Sequence, residues 1–263
     1  MNLSSSVPPV SILERAARNE RRIVLAGLAS VAATGLFATM RLGDVLMMPT
    51  AFVGSSIVYP VLLFIMWWTM MMAMMLPSAA PAILAYGAIS RKFTEKGASA
   101  APPAVFAAGY AAIWTGFAAA AVALQLLLSQ TTALSMMMAV TSAVIGGGLL
   151  VAAGLYQMSP LKSACLRKCQ SPLMFFARNW RKGTLGALRM GLSHGLYCLG
   201  CCWVLMGLLF YGGVMELRWI VGLALYIAAE KLIPTGNRLS QFTGILLIGW
   251  GSWTIYRAIT LAS

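Results

Sequence analysis

The run IVYPVLLFIMWWTMMMAMML occupies residues 57–76, twenty consecutive positions without a charged side chain. A helix built from it is apolar all round, so it needs protein or lipid on every side. Its length matches the roughly 20 residues that cross a hydrocarbon core about 30 Å thick. Working outward, six further stretches of this character lie at about 23–40, 105–128, 133–156, 185–211, 217–233 and 242–261, and the first-quoted stretch extends toward Ile89. Barrel strands would instead alternate apolar and polar residues over about ten positions. Backbone groups that cannot be left unpaired in lipid make helices the economical solution.

Composition points the same way. Of 263 residues 60% are apolar and 10% charged, against about 45–50% and 25% in ordinary soluble domains. This excludes a secreted disulfide scaffold, a disordered tail and a soluble nucleotide-binding enzyme. There is no Walker or dinucleotide glycine pattern, so the chain does not itself couple ATP hydrolysis to transport. The net charge of +13 would suggest nucleic acid in a soluble protein, but its sources sit between the apolar blocks. Arg15, Arg18, Arg21, Arg22, then Arg91, Lys92, Lys96, then Lys162, Arg167, Lys168, Arg178, Arg181, Lys182, and finally Lys231 and Arg238 fall on alternate connections; the opposite connections hold Arg41 and Arg218. Cytoplasmic loops retain Lys and Arg, so the charge is an orientation signal and no nucleic-acid partner is expected.

The expectation is therefore an all-α, polytopic transmembrane helix bundle of about seven spans with a cytoplasmic N-terminus. A cytoplasmic arm at 1–22 precedes a single bundle at 23–263, whose cytoplasmic connection at 159–185 carries cysteines. The first apolar run is longer than a signal core and reads as a retained helix. The bilayer is the expected partner; oligomeric state is not legible.

Polar side chains at membrane depth are costly and mark function. In GLSHGLYCLGCCW, residues 191–203, His194, Cys198, Cys201 and Cys202 fall along one helical stripe, with Cys198 near the midplane. Gly191, Gly195 and Gly200 leave its flanks bare for a neighbouring helix. The methionine run supplies a matching partner in Met66, Met70, Met71, Met72, Met74 and Met75; thioethers, thiolates and imidazoles are ligands that favour Cu(I) over hard cations, although methionine is also an ordinary gap-filler. Pro77 and Pro81 are expected to free the carbonyls of Ala73 and Pro77. On the cytoplasmic connection, SPLKSACLRKCQSP (159–172) starts like a helix at Ser159-Pro160 and stops at Pro172. Leu161, Cys165 and Cys169 share one face there, with Lys162, Arg167 and Lys168 pointing elsewhere. Glu230 beside Lys231 reads first as an ion pair, second as a ligand or proton relay. Trp67, Trp68, Trp203 and Trp219 read as packing anchors, and Gly146, Gly147 and Gly148 as a close helix contact.

AMMLPSAAP (73–81), SPLKSACLRKCQSP, HGLYCLGCCWVLM (194–206) and AEKLIP (229–234) together resemble a bacterial family of predicted metal-binding integral membrane proteins, described as copper-chaperone-like, over roughly residues 60–255. The resemblance implies a multi-pass protein of the bacterial inner membrane. It implies metal ligands at Met74, Met75, Cys165, Cys169, His194, Cys198, Cys201, Cys202 and Glu230, to which the residue reading adds Met71.

The leading expectation is a protein that binds and relays a soft metal, Cu(I) before Zn(II), with a metal donor or acceptor protein as partner and with binding favoured over catalysis. Two alternatives stand beside it. Cys198 and Cys201 have the spacing of a redox dithiol and allow a membrane thiol-disulfide oxidoreductase; an assembly subunit would use the same sulfurs to metallate an obligate partner enzyme.

Overall fold

A computed structural model describes residues 10–46, 57–95, 101–129 and 142–261. Among them the chain is all helix: α1 (Val10–Leu46), α2 (Val58–Ser78), α3 (Ala80–Glu95), α4 (Pro103–Ser129), α5 (Ala143–Gln157), α6 (Pro160–Gln170), α7 (Pro172–Asn179), α8 (Gly183–Gly207), α9 (Leu209–Gly212), α10 (Leu217–Leu232) and α11 (Gly236–Thr260). The expected arm's residues 1–9, Lys96 and the first part of the fourth apolar stretch, 133–141, lie outside the described residues. From Val10 onward the arm is helical and continuous with the first stretch.

Among the described residues three helical segments are long and apolar enough to cross a bilayer: α2, α4 and α8 together with α9. They coincide with the second, third and fifth expected stretches. α5 and α6 pass as one further span when taken together, with a 64° bend between them. The bend has a local cause, because Ser159 leaves the helix to cap α6, accepting a hydrogen bond from the Lys162 N–H at 3.1 Å, and Pro160 fits the first helical position. α10 has 16 residues, fewer than the roughly 20 a straight crossing needs.

The second stretch does not run through to Ile89. It breaks at Ala79, where backbone N–H groups return to the carbonyls of Met75, Leu76 and Pro77, so the Pro77 carbonyl is not left free as expected. Pro81 falls in the first turn of α3, where its missing N–H costs nothing.

α8 is the hub, packed against α4 along one side and α6 along another, while α2 bridges α4, α1 and α10. The α4–α8 approach is set by glycine: a Cβ on Gly191 would collide with the Phe106 carbonyl and stand 3.1 Å from the Gly109 Cα. The expected glycine contact in α5 is present too. Gly147 and Gly154 oppose Gly251 and Gly244 of α11, and a Cβ on Gly147 would stand 2.8 Å from the Gly251 carbonyl oxygen. Small residues of this kind let helices approach where lipid removes the hydrophobic drive. Trp67 is fully buried and donates from Nε1 to Gln125 at 2.6 Å, as a packing anchor should. Outward faces carry large apolar side chains, including Phe37, Leu127, Leu196 and Phe242.

Gly191→Ala should lower the thermal midpoint in detergent, by a destabilisation of about 1–3 kcal/mol typical of overpacking. Gly148→Ala, which has open space around its Cβ, should leave the midpoint unchanged or raise it.

Candidate metal centre

The stripe on α8 faces inward as its spacing requires. His194, Cys198, Cys201 and Cys202 are all buried. The thiols of Cys201 and Cys202 each donate to the Cys198 carbonyl at 3.0 Å, the local bond a short polar side chain makes to the preceding helical turn. This gathers three sulfurs around one turn.

The neighbouring helices complete the group. Tyr110 of α4 places its hydroxyl 3.0 Å from the Cys198 sulfur and donates to the Met75 carbonyl at 3.0 Å; Ser78 donates to that carbonyl at 2.8 Å. Lys231 of α10 enters from the far side. Its ammonium donates to Cys198 Sγ at 2.9 Å and Ser78 Oγ at 3.0 Å, and stands 3.9 Å from Met75 Sδ. The thioether of α2 and a thiol of α8 therefore flank one cation. Cys169 of α6 faces the same cavity as Cys198. Cys165, one turn earlier, rests its sulfur where a Cβ on Gly200 would be, 2.8 Å away. All five cysteines are free thiols.

His194 is caged by the rings of Phe175, Phe106 and Tyr110, at centroid distances of 5.2, 5.9 and 6.0 Å. Its Nδ1 is buried without a hydrogen-bond partner, an unusual condition for a polar atom in an interior. Next to it opens a cavity of about 200 Å³, lined by Ser78, Tyr110, Cys169, His194, Cys198 and Lys231 among others. Among the described residues no three His, Cys, Asp or Glu side chains form a ready-made ligand set. The side chains in this region are thiols, one thioether and one imidazole, the ligand types that suit soft ions.

Several expectations change here. Lys162 does not point away from the cysteine face: it is fully buried, and its ammonium pairs with Glu230 Oε2 at 2.8 Å while also donating to Gln157. Tyr226 and Gln157 donate to Glu230 Oε1 at 2.5 and 3.1 Å. Glu230 thus pairs with Lys162 rather than with its sequence neighbour Lys231, and it is held apart from the thiols as the centre of a second polar cluster. Leu161, expected to share the cysteine face, is 61% exposed; the inward face of α6 is Lys162, Cys165, Leu166 and Cys169. Met71 and Met74 are buried in the core, but in the methionine run it is Met75 whose sulfur reaches the ammonium. Sequence reasoning missed Tyr110, in a stretch read only as apolar, and Phe175, in the connection at 159–185. A buried hydroxyl within an uncharged span is the signal that marks Tyr110.

Replacing Glu230 by Gln strands the buried Lys162 charge and should cost about 3–5 kcal/mol. The Lys162→Met, Glu230→Gln double variant should lose less than the two single losses combined, as read by a double-mutant cycle on thermal or denaturant unfolding.

A family model described as PpoB2, copper chaperone, matches residues 64–254, from within α2 to within α11. No curated protein and no solved structure matches the chain. The matched segment holds the five cysteines, His194, Met75 and Lys231. It covers well over half of the 263 residues, and the chain belongs to the PpoB2 copper chaperone family.

Proposed function

We propose that this chain is an integral membrane copper chaperone that holds Cu(I) as cargo between α2 and α8 and passes it through the thiols of α6 to or from a partner protein. The observation that carries the reading is that Cys198, Cys169 and His194 line one cavity, that Met75 Sδ stands beside the Lys231 ammonium at its wall, and that the His194 Nδ1 has no partner of its own. Thiolate, thioether and imidazole favour Cu(I) among available metals, whereas a structural Zn(II) site wants four fixed ligands. Cys198 and Met75 would grip the ion, with His194, Cys201 and Cys202 as the alternates that a low-coordinate ion uses in moving. Cys169 and Cys165 lie one turn apart on α6, so that helix would offer the cargo a route from thiol to thiol. Met71, Met74 and Glu230 are the weakest of the candidate ligands on this geometry; Glu230 is committed to Lys162.

The membrane part of the reading rests on the apolar helices and on the alternation of Lys and Arg. It takes the chain as a single bundle of about seven spans after the arm at 1–22, with the N-terminus and the α6–α7 connection on the cytoplasmic side of a bacterial inner membrane. α10 then crosses only with the help of the turn that precedes α11.

Two measurements test it. The protein should stay with membranes through an alkaline carbonate wash; release into the supernatant removes the integral assignment. Purified in detergent and loaded anaerobically, wild type should retain near-stoichiometric Cu(I) against a moderate chelator, and the Cys198, Cys201, Cys202→Ser variant should lose at least about tenfold in affinity. Equal copper in both ends the proposal. A reversible Cys198–Cys201 disulfide without copper retention would instead establish the oxidoreductase.

A further inference from the structure

The position that a soft ion would take between Cys198 and Met75 already has a cation beside it, the Lys231 ammonium, 2.9 Å from one sulfur and 3.9 Å from the other. Lys231 is 6% exposed, so water contributes little to holding its charge. A lysine among ligands is an odd tenant for a cation site, since it repels every ion that arrives. Repulsion between charges scales with their product. The ammonium therefore opposes a doubly charged ion twice as strongly as a singly charged one at the same place.

Nothing else in the pocket offsets that bias. The adjacent carboxylate, Glu230, points to the other side of α10 and is bound to Lys162, Gln157 and Tyr226. Among the described residues no carboxylate lines the cavity. A divalent ion would thus meet a fixed positive charge with only thiols to neutralise it, in an interior where uncompensated charge is costly. A monovalent ion asks for less. The lysine also has room to yield, because the cavity of about 200 Å³ runs alongside it and Ser78 offers an acceptor at its edge.

We infer that Lys231 is the specificity-determining residue of the pocket, selecting a singly charged soft ion over a divalent one by charge rather than by ligand type. The inference deepens the copper reading and rests on it. Thiols and imidazole alone would accept Zn(II) readily; the lysine opposes that option by its charge, with the ligand set unchanged. Such discrimination by a built-in repulsive element is how specificity is commonly secured when attractive contacts do not distinguish two partners.

The experiment compares Cu(I) and Zn(II) affinities, by chelator competition in detergent, for wild type, Lys231→Met and Lys231→Arg. Lys231→Met should shift the affinity ratio toward Zn(II) at least about tenfold, and Lys231→Arg, which keeps the charge, should hold the wild-type ratio. An unchanged ratio in Lys231→Met overturns the inference while leaving copper binding intact, whereas a wild type that binds no Cu(I) overturns the functional reading itself. A purely structural role for the lysine would weaken both ions together and leave the ratio fixed. Should Lys231→Met fail to fold, wild type decides alone: Ag(I) should protect Cys198 from alkylation where equimolar Zn(II) does not. Equal protection by the two ions refutes the charge filter.

Discussion

A charge inside an apolar bundle has to be answered by a neighbour, because burying it bare costs far more than any one packing contact returns. α10 carries two such charges in succession. Successive residues of a helix point about 100° apart, so Glu230 and Lys231 cannot satisfy each other and at the same time remain in the core. Each reaches a different helix: Glu230 turns to Lys162 of α6, and Lys231 turns to Cys198 of α8 and Ser78 of α2. These two demands fix the rotation of α10 and draw α6, α8 and α2 around it. The sulfur pocket is the place where those helices meet.

Glycine and proline make the meeting close enough for chemistry. Gly109 and Gly191 let α4 lie against α8 with backbone nearly touching, and that spacing brings the Tyr110 hydroxyl to the Cys198 sulfur. Near the C-terminal end of α2, the Met75 carbonyl keeps its ladder bond from the Ala79 N–H and also collects the hydroxyls of Tyr110 and Ser78. The sulfur of Met75 is thereby placed by its own backbone as much as by side-chain packing.

The helical class and the boundaries of the central helices were legible because uncharged runs of about 20 residues have few other solutions. The α8 stripe was legible for a related reason: His194, Cys198, Cys201 and Cys202 share a face at any ordinary helical pitch. Lys162 was read as off the cysteine face and Glu230 as paired first with Lys231, by the rule that residues within local reach decide a pairing. The rule fails where a buried carboxylate waits on another helix, and such long-range pairing leaves no mark in local spacing. Leu161 was misplaced by the same error, since the helix that turns Lys162 inward turns its neighbour out. Tyr110 and Phe175 were hidden by their type. Aromatic residues in apolar runs read as packing until a partner is seen beside them.

The end of α10 is tied to α6 by more than the ion pair. Gln170 donates its amide to the carbonyls of Glu230 and Ile233, at 2.8 and 3.2 Å, closing the terminal turn that α10 would otherwise leave open. The helix bearing Cys165 and Cys169 and the turn bearing Lys231 are in effect one mechanical piece, clamped at both ends of a single turn. A load on α6 is therefore carried through Gln170 and Glu230 to the very turn from which the ammonium projects.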